Sequence, residues 1–147
     1  MPLSPSVLAR LQYQHQTIDE LIAGMNEEEL KHRVNPDKWS VFENMVHLAA
    51  YQPVFIQRIH LILNEHEPLF ERYVAENDPV FHQYLQKSLK GLSDDISSAR
   101  LSIVNSLKQL NEQQLNRSGR HKAYGLIRLS EWADFFLLHE AHHLWTI

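Results

Sequence analysis

The sequence predicts an all-α fold: a four-helix bundle with a long central connection between its second and third helices. Three observations carry this expectation. Apolar residues recur at steps of three and four along several stretches, the period of a helix with one buried face. No stretch alternates polar and apolar residues in the manner of a half-buried strand. Only 4 glycines and 6 prolines punctuate 147 residues, too few turns for many short strands. At this length the chain, 1–147, reads as a single domain able to bury a core without disulfides.

Ser4 and Pro5 open the first helix as cap and first-turn proline, and Leu8, Leu11, His15, Ile18 and Ile22 form its core stripe. His15, in the middle of that stripe, is expected to be a hydrogen-bonded core residue or to stand behind a site. Gly24 ends the helix. Asn26 then caps a brief acidic turn through Leu30, and Asn35-Pro36-Asp37 marks a loop. The second long helix starts at Ser40, with Glu43 at capping-box spacing, and runs to about Leu63. Glu43, His47, Ala50, Val54 and Leu61 share one face, and Phe42, Met45, Ala49, Ile56 and Leu63 another, so the helix is buried on two sides. Pro53 inside it removes a backbone donor and is expected to loosen one turn.

Residues 64–92 are the least regular part. Asp78-Pro79 caps a short helix reaching to Lys90, and the segment reads as the crossover of a bundle. Ser93-Asp94-Asp95 caps the third helix, with the stripe Ile96, Ala99, Ile103, Leu107 and Leu110, ending near Leu115. Asn116 to Gly125 is a basic loop in which Arg117 and Arg120 are candidate anion-holding residues, since guanidinium matches carboxylate and phosphate. Ser130 caps the last helix.

Net charge is −4, which removes the electrostatic footprint of a general nucleic-acid binder. Cysteine is absent, which excludes disulfides, a protein thiol nucleophile and thiolate zinc ligands, and fits a reducing compartment. No apolar run nears the ~18 residues of a membrane span, and the opening MPLSPSVLARLQYQ does not resemble a signal peptide. A cytoplasmic protein acting on a small molecule, with neither nucleic acid nor membrane as partner, is the expectation.

Histidine, at 10 residues, is the compositional excess, and position decides which of them matter. In the closing stretch Glu131 to Ile147, a count of about 100° per residue puts Trp132, Phe136, His139 and His143 on one stripe, with His142 on its flank. His139 and His143, at i and i+4, stack one above the other, close enough to grip one ion. His47, on the inner stripe of the second helix, is the third ligand. Three neutral imidazoles with open positions suit a catalytic divalent metal: zinc, nickel, copper or iron. Glu43 and Glu140 are candidate carboxylates for orienting a ligand ring, with His15 a further candidate behind the site. Leu137, Leu138, Leu144 and Trp145 lie off the ligand stripe and read as the face of a homodimer.

The run Asp37-Lys38-Trp39-Ser40-x-x-Glu43-x-x-x-His47-Leu48 resembles the second-helix motif of the DinB-like (YfiT-like) superfamily. His139-Glu140-Ala141-His142-His143-Leu144 resembles its final-helix motif, and Gly119-Arg120-His121 with Tyr124-Gly125 its preceding loop. The resemblance covers about Leu30 to the end. It implies an up-down-down-up bundle with a long central crossover, commonly homodimeric. It also implies His47, His139 and His143 as ligands of a divalent metal, zinc or nickel foremost. The activity implied is metal-dependent thiol (S-)transfer with a low-molecular-weight thiol; the alternatives are a metal-dependent hydrolase and a non-catalytic metal-binding protein. Thr146 stands where a glutamine often follows the last histidine of the pattern.

Overall fold

The computed structural model describes residues 3–147 and places helices α1 (Pro5–Tyr13), α2 (Thr17–Leu21), α3 (Glu27–Lys31), α4 (Val41–Asn64), α5 (Pro79–Tyr84), α6 (Leu89–Lys108), α7 (Glu112–Leu115) and α8 (Leu129–Thr146). The first arm of the bundle is α1 and α2, joined by a tight 3-10 turn at Gln14–Gln16 that contains His15. The other arms are α4, α6 and α8.

Direction follows from which residues meet. Asn44, at the start of α4, touches His143 and Thr146 at the end of α8, and farther along Phe55 stacks on Phe136 at 4.3 Å. The two helices are therefore antiparallel. After α4 the chain crosses back to the level where α4 began, since Phe81 of α5 stacks on Trp39 at 5.4 Å. So α6 starts there and runs parallel to α4. The first arm opposes α6: the carbonyl of Leu11 accepts from Arg100, while Ile18 and Ile22 share a cluster with Leu92 and Ile96. The result is an up-down-down-up four-helix bundle with a long central crossover, in which α4 packs between α6 and α8.

Two apolar clusters fill the interior. One gathers Leu11, Phe55, Ile103, Trp132 and Phe136; the other gathers Ile18, Met45, Leu48, Phe81 and Ile96. Between them lies a polar layer. There Arg100 forms a buried ion pair with Glu140, and Gln14 donates to the same carboxylate at 3.0 Å. Burying those charges is tolerable because each has its counter-charge and further hydrogen bonds.

Several boundaries differ from the sequence expectation. The third arm is capped by Ser88, whose hydroxyl accepts from the Gly91 N–H at 3.1 Å, five residues ahead of Ser93. Gly91 sits in the first turn, where a glycine is cheap, so it does not break the helix. As a consequence α5 stops at Tyr84 instead of reaching Lys90. The third arm itself ends at Lys108, and Asn111 caps a separate turn, α7. Arg128, not Ser130, precedes α8, its N–H held by the Glu131 carboxylate at 2.9 Å. The helix α4 continues through Pro53 without interruption.

The larger correction is a small sheet. Strands β1 (Leu69–Phe70), β2 (Ser118–His121) and β3 (Gly125–Arg128) pair in that order, the first two parallel and the last two antiparallel. What reads as a basic loop is thus a hairpin, turned with the help of Gly125 at φ 80°. Strands of two to four residues are too short for alternation to register. Of the expected dimer face, Leu137 is buried in the core and Leu144 packs against it, while Leu138 and Trp145 are exposed.

The sheet is fastened at Gly119, where a Cβ would lie 2.5 Å from Phe70 and 2.9 Å from Ile62. Gly119→Ala is expected to lower unfolding stability by about 1–3 kcal/mol, the usual cost of overpacking. A denaturant titration checks this, and an unchanged midpoint would contradict such close packing.

Candidate metal centre

The antiparallel crossing of α4 and α8 brings His47, His139 and His143 together. One ring nitrogen from each lies within 4.8 Å of the others, and the Nε2 atoms of His47 and His139 are 2.8 Å apart. His142 is exposed at the rim and is not part of the triad.

Asn44 fixes the tautomer of His143. Its amide nitrogen donates to the Ser40 carbonyl at 2.9 Å, which turns its oxygen toward His143 Nδ1, also at 2.9 Å. An amide oxygen only accepts, so His143 carries its proton on Nδ1 and leaves the Nε2 lone pair free. The Thr146 hydroxyl supports the same oxygen from 3.1 Å, so the residue standing in the usual glutamine position still reaches the site. His47 and His139 are held by packing instead. Their Nδ1 atoms are buried without a hydrogen-bond partner among the described residues, while Trp39 lies 5.0 Å from the His47 ring and Tyr51 4.4 Å from that of His139.

Burial keeps all three imidazoles neutral. Desolvation first, then the neighbouring His143 and His139, lower the pKa of His47 to about 2. Desolvation likewise lowers His139 to about 3 and His143 to about 4, with the adjacent histidines adding to it. Neutral imidazole is the form that ligates, so the site is prepared for a cation without first shedding protons. Ring nitrogens ligate a divalent ion such as zinc at roughly 2.0–2.1 Å, and three of them on two rigid helices fit that requirement.

The triad lines one wall of a cleft of about 550 Å³. Trp39, Tyr51, Tyr73, His121 and Tyr124 line it too, as do Arg58 and Arg72. The crossover delivers Arg72 and Tyr73, and the hairpin delivers His121 and Tyr124.

The other residues singled out in the sequence are placed elsewhere. Glu43 takes the Ser40 N–H at 2.8 Å, completing the cap of α4, and pairs with Arg33. Glu140 belongs to the buried layer with Arg100. His15 faces Ile18 and Ile96 and does not reach the triad. Arg117 donates to the carbonyls of Ile62 and Glu65, closing the end of α4, and Arg120 pairs with Glu67 at 3.3 Å. Neither arginine lines the cleft. Asn44 and Arg58 were missed. Arg58 had a readable signal: at 11 residues beyond His47 it returns to the same helical face.

The family model of the DinB superfamily matches residues 10–147. A relative from Oceanobacillus iheyensis, bearing the name "putative metal-dependent hydrolase", is 26% identical over 130 residues, covering 86% of this chain and 73% of its own length. Among solved structures, YfiT from Bacillus subtilis superposes with a TM-score of 0.80 at 19% identity, covering 95% of this chain and 80% of that one. That protein is described as a probable metal-dependent hydrolase with an unusual four-helix bundle topology.

His47→Ala is expected to abolish stoichiometric binding of a divalent metal, and Asn44→Ala to weaken it by about 10–100-fold, as loss of a ring-orienting partner does. His142→Ala should keep full metal content by elemental analysis; loss of metal there, or retention in His47→Ala, would contradict the assignment. The pH dependence has a definite sign. In the unfolded chain these histidines take up protons below pH 6.5, while in the fold they resist until about pH 4 or lower. The unfolded state therefore binds more protons in that window, and the stability of metal-free protein falls as pH drops from 6.5 toward 4. A melting temperature that stays level across that range would contradict buried, neutral rings.

Proposed function

The chain belongs to the DinB superfamily, and from that premise we propose that it is a metal-dependent enzyme in which Nε2 atoms of His47, His139 and His143 hold one divalent ion, zinc or nickel. The observation that carries this reading is the convergence of three neutral imidazoles on the wall of an open cleft. A purely structural site is closed, whereas here about 550 Å³ lies beside the ligands. That volume favours catalysis over a non-catalytic metal-binding role. The name borne by the Oceanobacillus relative points to metal dependence as well.

An ion held there supplies Lewis acidity, lowering the pKa of a thiol or water beside it. The chain's own groups do the rest. Trp39 and Tyr73 present ring surface to the substrate. The Tyr51 hydroxyl accepts from Arg58 at 3.0 Å, and burial raises its pKa, so it keeps its own proton as a donor toward the cleft.

Within this reading the reaction is thiol transfer. The chain has no cysteine, so the sulfur nucleophile arrives as a low-molecular-weight thiol, and the cleft is large enough for that thiol and a small electrophile side by side. Hydrolysis, with water in place of the thiol, is the second reading, favoured by the hydrolase name of the Oceanobacillus relative. A homodimer using the exposed Leu138 and Trp145 belongs to the same reading.

The test is a panel of small thiols with aryl halide and epoxide electrophiles, beside ester and amide substrates, using metal-loaded protein. Conjugation that needs the thiol, disappears with chelator and falls at least ~100-fold in His47→Ala is expected. Thiol-independent ester or amide cleavage would transfer the assignment to hydrolysis, and inactivity throughout both panels would contradict catalysis.

A further inference from the structure

Two buried arginines in this bundle are treated differently. Arg100 has its carboxylate, Glu140. Arg58, only 6% exposed, has none among the described residues. Its guanidinium donates to the Tyr51 hydroxyl at 3.0 Å and to the Glu71 carbonyl at 3.1 Å, both neutral, and packs 5.1 Å from the Trp132 ring. The Glu71 carboxylate is committed to Lys122. A cation removed from water with no counter-charge is expensive, and such groups persist where a ligand supplies the missing charge. Arg58 lines the cleft that holds the histidine triad. Arg72 lines it too, exposed and with no ion pair or hydrogen bond among the described residues. Glu76 is the carboxylate on this lining, so the wall is cationic on balance.

We propose that Arg58 and Arg72 form an anion subsite, so that the cleft takes a small molecule whose carboxylate or phosphate group rests on these guanidiniums while its reactive end faces the histidines. The planar fork of guanidinium matches either anion. Orientation of the reactive end rests on the metal-dependent reading above; the anion subsite itself does not need the metal.

The test uses metal-free protein, with inorganic phosphate and succinate as separate probes, at ionic strength held constant with chloride. A saturable rise in melting temperature with at least one probe is expected, since a ligand that binds only the folded state stabilises it. The tighter probe identifies the anionic group. Arg72→Gln removes an exposed side chain without partners, so its unliganded melting temperature should match wild type while anion affinity falls about tenfold, the loss expected of a charge-assisted hydrogen bond. Arg58→Lys, which keeps the charge and loses the fork, should weaken binding as well. No saturable shift with either probe, or an equal shift in Arg72→Gln, overturns the proposal. Zinc uptake is measured separately, by reloading a portion of the same preparation: anion binding by wild-type protein that takes up no zinc on reloading would remove the metal reading and leave this subsite standing.

Discussion

The site depends on one packing event, the antiparallel contact of α4 with α8. It sets His47 against His139 and His143, and in the same stroke sets Asn44 against His143 and Thr146. The contact is driven by apolar burial farther along both helices, where Phe55 stacks on Phe136 and Trp132 is fully enclosed. The histidines are carried inward by that burial. Desolvation then keeps them neutral, so the same force that builds the bundle also readies the rings to ligate.

The remaining elements shape what stands in front of the triad. The crossover passes over the end of α4 and supplies Tyr73 and Arg72, and the hairpin adds His121 and Tyr124. Gly119 allows the hairpin to lie flat on Phe70 and Ile62, and Arg117 ties it to the carbonyls ending α4. Residues that looked like candidates for chemistry, Arg117 and Arg120, are thus fasteners of the cleft wall. The polar layer of Arg100, Glu140 and Gln14 lies deeper and answers its own charges. Arg58 does not, and that contrast separates a structural cation from one facing a ligand.

The bundle was legible because helical periodicity is a local signal repeated over many residues. His47, His139 and His143 were legible for the same reason: each sits on the inner stripe of a long helix, where a polar ring needs a partner. Features requiring contact between distant segments were not. The pairing of Leu69–Phe70 with residues near 120 brings together segments fifty positions apart, with strands too short to show a period. Asn44 reads as an ordinary helical residue until α8 is laid beside it. Glu140, next to His139 in sequence, turns away from the triad on its helix and meets Arg100. Sequence adjacency on a helix is a poor guide to shared direction, because successive side chains diverge by about 100°.

The central claim is that three named rings, and not their neighbours, take one ion. Long-range ¹H–¹⁵N NMR of the histidine rings during a zinc titration tests it most directly. The account predicts that at one equivalent the Nε2 signals of His47, His139 and His143 move together, that His143 keeps its proton on Nδ1, and that His142 and His15 stay in place. Movement of His142 or His15 in place of any of the three, or a His143 ring protonated on Nε2, would contradict it.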